Sequence, residues 1–193
     1  MKTDYWLKKW ETNDIAFHEK TPNPLMTSNF NDLSLTEGSR VFLPLCGKTR
    51  DIAWLLHNGY KVAGSELVES AIIQLFNELE MEPTISLVDE LTLYRAKNLD
   101  IYIGDIFNLS RDTLGRVDAI YDRAALVALP KTVRKQYTSH LMAISENAPQ
   151  LLISYEYDQA KMDGPPFSVG NKEISQHYNT HYDCKLVSSE LVL

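Results

Sequence analysis

Cysteine is scarce in this chain of 193 residues, with only Cys46 and Cys184 present. They are far apart and carry no metal-type spacing. That excludes a disulfide scaffold, leaves no metal site to expect, and makes a reducing, cytoplasmic setting the default. A basic tract is also missing. Nineteen Lys and Arg against 26 Asp and Glu leave a net charge of −7, which argues against nucleic acid as the main partner. Long apolar runs are absent too. The longest uniform one, Ala124–Leu129, is far too short to span a bilayer. The N-terminus lacks the basic-then-apolar pattern of a signal peptide. There is no repeat and no low-complexity segment. At this length one domain, 1–193, is expected.

Glycine is thin where a dinucleotide site would need it. Arg40 to Leu45 reads as a short buried parallel strand, broken by Cys46-Gly47-Lys48. An amphipathic helix follows with Ile52, Leu55 and Leu56 on one face and Gly59 as its stop. A second apolar run, Tyr60 to Ser65, ends in Glu66. Strand, Gly turn, helix, strand and acid make a βαβ unit of nucleotide-binding type. Glu66 lies 19 positions after Gly47, close to the spacing of about 20 expected of a carboxylate that receives ribose hydroxyls. Gly47 stands alone, without the two further glycines that crowd N–H groups around a pyrophosphate. A nucleoside without phosphates fits better, and S-adenosylmethionine is the common one. An ordinary βαβ crossover with a turn glycine explains the same residues.

Other candidates follow along the chain. Trp6 and Trp10 share a face of a short N-terminal helix and suit either an aromatic clip or an aromatic lid over a sulfonium cation. Phe17-His18 comes next; His18 titrates near neutrality or serves as a structural hydrogen-bonder. Thr21-Pro22-Asn23-Pro24 is expected to be irregular. A helix is expected after Glu66, carrying Ala71, Ile72, Leu75, Phe76 and Leu79, and Thr92–Arg95 with Leu99–Ile103 reads as a hairpin. Asp105, at that hairpin's end, either accepts from a purine amine or caps the next turn. Val117 to Asp122 is a further strand, and Arg123 leaves its end, as an anion clamp or in a salt bridge with Asp122 or a neighbour. Pro130 opens a long helix, and Gln150 to Tyr157 reads as a strand. Gly164-Pro165-Pro166-Phe167 is a rigid loop, either a pocket wall or a connector. Ile174 to Tyr178 reads as helix and Cys184 to Leu193 as β-rich. Alternating strands and helices predict an α/β three-layer αβα sandwich with a mostly parallel sheet, whose rim residues meet at the topological switch point.

Taken together, several stretches resemble the thiopurine S-methyltransferase family in its bacterial form. They are Trp6…Trp10 with Phe17-His18, Pro44-Leu45-Cys46-Gly47-Lys48, Gly64-Ser65-Glu66-Leu67, Gly104-Asp105-Ile106-Phe107, Tyr121-Asp122-Arg123-Ala124-Ala125-Leu126, Glu156-Tyr157-Asp158-Gln159 and Gly164-Pro165-Pro166-Phe167-Ser168-Val169. The resemblance implies a Rossmann-like, class I methyltransferase that uses S-adenosylmethionine and releases S-adenosylhomocysteine. It implies that Trp6, Trp10, Leu45 and Gly47 line the methionine end and that Glu66 holds the ribose hydroxyls with Leu67 beside it. Asp105 and Ile106 would meet the adenine. Arg123 would serve the methionine moiety and face the acceptor, while Phe17, His18, Pro165, Pro166 and Phe167 bound the acceptor pocket. Residues 1–35 would then form an aromatic cap over the cofactor cleft. Gly64-Ser65-Glu66 replaces the family's usual Gly-Val-Glu. Family members continue beyond the position of Leu193 with a further edge strand, so a shortened C-terminal strand region is expected.

The reaction this implies is in-line displacement, with a small heteroaryl thiol such as a thiopurine, or a selenium or tellurium species, attacking the sulfonium methyl. An acidic thiol needs no strong base; Arg123 would stabilise the anion and His18 is the reserve proton acceptor. A monomer acting on a small molecule, with no membrane partner, is expected. The alternatives are a non-catalytic S-adenosylmethionine-binding domain and a nicotinamide-dependent oxidoreductase, the latter disfavoured by the missing glycines.

Overall fold

The computed structural model describes residues 3–12, 14–15 and 18–191, with Thr3 defined by its main chain alone. Seven strands form one sheet: β1 (Arg40–Leu43), β2 (Lys61–Glu66), β3 (Thr84–Val88), β4 (Leu91–Ala96), β5 (Leu99–Ile103), β6 (Ala119–Arg123) and β7 (Gln150–Ile153). Their spatial order is β3-β4-β5-β2-β1-β6-β7. The β5-β2, β2-β1, β1-β6 and β6-β7 pairs are parallel, and β3-β4-β5 run antiparallel at one side.

Alternation along the strands builds a core on each face of the sheet. Val41, Leu43, Val62, Ile101 and Tyr121 point to one face, where they meet Met26 of α2 (Pro24–Asn29), Ile52 and Leu55 of α3 (Arg50–His57), and Ile72, Leu75 and Phe76 of α4 (Glu69–Glu78). Phe42, Ala63, Tyr102 and Ile120 point to the other. There they pack with Leu114 of α5 (Arg111–Leu114), Tyr137, Leu141 and Ile144 of α6 (Lys131–Ser145), and Tyr178 of α7 (Asn171–Tyr178). The three-layer αβα architecture is therefore present. Helix α1 (Thr3–Glu11) adds a smaller cluster, in which Trp10 packs with Val68 and Ala71, and Trp6, Ile15 and Leu67 lie against it.

Four sequence expectations need correction. Pro24 opens a helix rather than continuing an irregular segment. Asn23 caps it, its Oδ1 accepting from the N–H groups of Leu25 and Met26 at 3.0 and 3.2 Å. Thr84–Val88 is a strand that the sequence reading passed over. It lies at the sheet edge, where Ile85 and Leu87 are 56% and 83% exposed, so no buried alternation announced it. Strand β7 stops at Ile153, short of Tyr157, because Ser154 and Tyr155 turn to bond Val169 instead. Residues 184–191 form no strand. Their Val and Leu content favours β structure, but they join no ladder, and β7 ends the sheet with β6 as its one neighbour among the described residues.

Candidate functional site

The crossover from β5 to β6 passes over β2 and β1, so the order in which parallel strands are added switches from one side of β1 to the other. The turn after β1 leads to α3 on one face, and the turn after β6 leads through Leu126–Ala128 to α6 on the other. The two turns diverge and open a crevice at the carboxyl ends of the strands. Both tips hold a non-glycine residue in left-handed backbone: Leu45 at φ 48° and Ala124 at φ 60°. Such residues cost on the order of 1 kcal/mol or more and persist where surrounding structure holds them, often at functional sites.

Gly47, Glu66, Asp105 and Arg123 all sit on this rim. Glu66 organises its centre. Its Oε2 accepts from the N–H of Gly47 at 2.7 Å, and its Oε1 accepts from the N–H groups of Leu67 and Val68 at 2.8 and 2.9 Å. One carboxylate thus ties the β1 turn to the start of α4. Burial pushes the Glu66 carboxyl above its usual range, against the pull of these N–H donors. A carboxylate offers about four lone-pair positions, so one remains after three donors are met. The sequence reading assigned Glu66 two ribose hydroxyls and gave no sign of the bond to Gly47.

Trp10 closes over the same turn. Gly47 has φ 52°, and a Cβ built there would lie 3.1 Å from Trp10 Cζ2. Trp6 and Leu67 flank that ring. The N-terminal helix therefore lies on the β1 and β2 tips, as either an aromatic clip or a lid would. The Gly104 N–H bonds the Glu66 carbonyl at 2.9 Å and carries the Asp105 turn to the same edge. Asp105 is exposed, and its Oδ1 caps the Phe107 N–H at 3.1 Å, so the capping alternative is realised. Ile106 is buried in the core, and its carbonyl lies 2.8 Å from His140 Nε2.

Arg123 is met by Glu19, with Nη2 to Oε1 at 2.6 Å and only 10% of the Arg123 side chain exposed. The salt bridge weighed from sequence named Asp122 or a neighbour. Asp122 instead turns inward, accepting from Tyr137 Oη at 2.8 Å and the Leu126 N–H at 3.1 Å. Burial raises its carboxyl to about 6. His18 is half-buried. Burial, reinforced by the Lys48 ammonium, lowers its pKa and favours the neutral imidazole at pH 7.

Phe17 lies outside the described residues. Pro165, Pro166 and Phe167 are half-buried, and the Phe167 N–H bonds the Val127 carbonyl at 2.6 Å, so the loop docks beside the β6 turn. The Arg134 guanidinium stands 5.4 Å from the Phe167 ring centroid, so one face of that ring is committed to the body of the protein. Two further residues escaped the sequence reading. Asp51 is 1% exposed and accepts from the Asn23 N–H at 2.7 Å, Tyr121 Oη at 3.0 Å and Thr49 Oγ1 at 3.0 Å. Glu19 is the other. Both act through partners remote in sequence; the step from Thr49 to Asp51, a helix-capping signal, was the one local hint. A depression of about 620 Å³ lies away from this rim, between β3, β4 and Ser110–Thr113. Among the described residues no cluster of three or more His, Cys, Asp or Glu is placed to hold a metal, and no helix is long and apolar enough to cross a membrane.

The family model for thiopurine S-methyltransferase matches residues 1–193. The chain belongs to this family. The thiopurine S-methyltransferase of Xanthobacter autotrophicus is 50% identical over 94% of this chain and 86% of its own length. That of Acinetobacter baylyi is 46% identical over 100% and 90%. Among solved structures, the Burkholderia thailandensis 1,6-didemethyltoxoflavin-N1-methyltransferase with S-adenosylhomocysteine superposes with a TM-score of 0.60 at 16% identity, covering 81% of this chain and 62% of its own. The glycopeptide N-methyltransferase MtfA with S-adenosylmethionine gives 0.54 at 14%, covering 75% and 60%. These two likenesses speak to the class I methyltransferase fold. As a member of the thiopurine S-methyltransferase family, the chain is an S-adenosylmethionine-dependent S-methyltransferase acting on thiopurine sulfur.

Proposed function

We propose that residues 1–193 act as one domain in which the rim described above is the active site, with residues 1–35 as an aromatic cap. The observation that carries this reading is the Glu66 carboxylate. It is 7% exposed, sits at a strand tip, and fixes the N–H groups of Leu67, Val68 and Gly47, the turn that Trp10 covers, while retaining acceptor capacity. The donor set fits an adenosine without phosphates: an acid for a ribose hydroxyl, apolar Leu45 and Leu67, and aromatic Trp6 and Trp10 for a sulfonium cation. Asp105 and the Ile106 main chain would meet the adenine. When bound, S-adenosylmethionine supplies an activated methyl and departs as S-adenosylhomocysteine.

The remaining work falls to this chain. Glu66 and the Gly47 turn orient the nucleoside, and the α1 aromatics exclude water from the transfer. Arg123 holds the acceptor anion, with Pro165, Pro166 and Phe167 bounding its pocket. His18, kept neutral by its surroundings, takes the thiol proton where the acceptor arrives un-ionised. A selenol or telluride would enter by the same route as a soft nucleophile. The two free cysteines support a cytoplasmic setting, and the acidic balance supports action without nucleic acid; the reading is completed by a monomer acting on small molecules.

Glu66→Gln tests the assignment. The substituted amide can keep the Leu67 and Val68 donors only by turning an NH2 group toward the Gly47 N–H. S-adenosylhomocysteine affinity by titration calorimetry should then fall about 10- to 100-fold, in line with the loss of a hydrogen bond to a charged group. An unchanged affinity in a folded variant would remove Glu66 from the site.

A further inference from the structure

Arg123 does not end in an incidental surface ion pair. Glu19 Oε1 lies 2.6 Å from its Nη2, and both Glu19 oxygens lie 3.2 Å from Asn23 Nδ2. Asn23 is fixed in turn. Its side-chain oxygen caps α2, and its N–H is held at 2.7 Å by Asp51. Asp51 accepts from Tyr121 Oη at 3.0 Å. Tyr121 precedes Arg123 by two positions on β6, so the two side chains leave the same face of the strand. The connections close a circuit: Arg123, Glu19, Asn23, Asp51, Tyr121 and back along β6. An exposed ion pair gains little because two long side chains must be ordered to make it. Here Asn23 orders Glu19, and the β6 tip and buried Asp51 order the rest.

We propose that Glu19 is a specificity determinant of the acceptor site. Its carboxylate cancels the Arg123 charge and aims the guanidinium, so the site takes an acceptor with one negative charge at its sulfur and discriminates against one with a second fixed anion. This rests on the reading of Arg123 as the residue facing the acceptor. Arg123 and Glu19 together present no net charge. A thiolate can share the guanidinium with Glu19, whereas a thiolate carrying a carboxylate brings two anions against one cation and one anion. A like charge a few ångström away near a surface is enough to set a preference of about tenfold.

The test compares thiophenol with 4-mercaptobenzoate as methyl acceptors, using purified enzyme and S-adenosylmethionine. The quantity read is the ratio of kcat/KM for the carboxylated acceptor to that for thiophenol. Glu19→Gln should raise this ratio about tenfold, through KM for 4-mercaptobenzoate rather than kcat. Glu19→Met, which also removes the charge, should raise it similarly and serves where the Gln variant fails to melt cooperatively. A ratio that moves less than about threefold in a folded variant overturns the proposal, as does an equal KM change for both acceptors. Arg123→Met separates the two layers of the argument. A lowered ratio there with an unmoved ratio in the Glu19 variants sinks the screen alone. An unmoved ratio in Arg123→Met sinks both the screen and the placement of Arg123 at the acceptor.

Discussion

At the scale of single residues, the site depends on a few atoms with no room to shift. Gly47 takes left-handed backbone beneath the Trp10 ring. An alanine there meets both a conformational cost of about 1–2 kcal/mol and a contact that Trp10 must yield to. Gly47→Ala is expected to lower stability by about 1–3 kcal/mol and to move Trp10 toward water, read as a red shift in tryptophan emission alongside a lower melting temperature. Asp122 makes a second, pH-dependent prediction. Burial raises its carboxyl to about 6 in the folded protein, above the unfolded value of about 3.9. A group raised on folding stabilises fully below its unfolded value and loses that contribution as pH rises through its folded one. Asp122→Asn abolishes the titration. Wild type should therefore gain stability relative to the variant as pH falls from 7 to 4, by about 2–3 kcal/mol, measurable by chemical denaturation at each pH. A difference that stays flat across this window would contradict the raised carboxyl.

At the scale of elements, α6 and the Gly164–Phe167 loop are clasped by one side chain. Arg134 is buried. Its Nε donates to the Leu129 carbonyl at 2.9 Å, its Nη1 donates to Glu173 of α7 at 2.9 and 3.0 Å, and its guanidinium faces the Phe167 ring. Arg134→Ala leaves Glu173 without that cation and the Leu129 carbonyl without that donor. A loss of about 3 kcal/mol is expected, as for breaking a buried pair, with faster hydrogen exchange in α7 and residues 164–169 than in β1 or β2. Exchange that rises uniformly would show that the clasp is not local. Elements also divide by how legible they were. Strands β1, β2, β5 and β6 announce themselves because both faces are covered and their apolar runs are nearly continuous. Strand β3 did not, because an edge strand with exposed Ile85 and Leu87 lacks a buried alternation to detect. Residues 184–191 erred in the other direction: their residues prefer β structure, yet the segment stays exposed and joins no ladder, because preference alone does not make a strand.

At the scale of the whole molecule, ligand binding should register as stability. A ligand that binds the folded state alone adds about 2.7 kcal/mol at 100 times its dissociation constant, and each kcal/mol shifts the melting point of a chain this size by about 2–4 °C. Saturating S-adenosylhomocysteine is expected to raise the melting temperature by about 5–10 °C, with NAD giving no comparable shift. A rise with NAD equal to that with S-adenosylhomocysteine would remove the basis for excluding a dinucleotide. What the sequence determined alone was local: the βαβ unit, the lone turn glycine, the acid 19 positions on, and the strand tips at Asp105 and Arg123. Periodicity and spacing act over a few residues and can be read without coordinates. Only the tertiary structure decided that Glu66 spends its carboxylate on the Gly47, Leu67 and Val68 N–H groups, that Trp10 covers the turn, and that Glu19 and Asp51 meet β6. Those contacts join segments whose separation along the chain carries no pattern, and they exist because packing the two faces of the sheet brings them together.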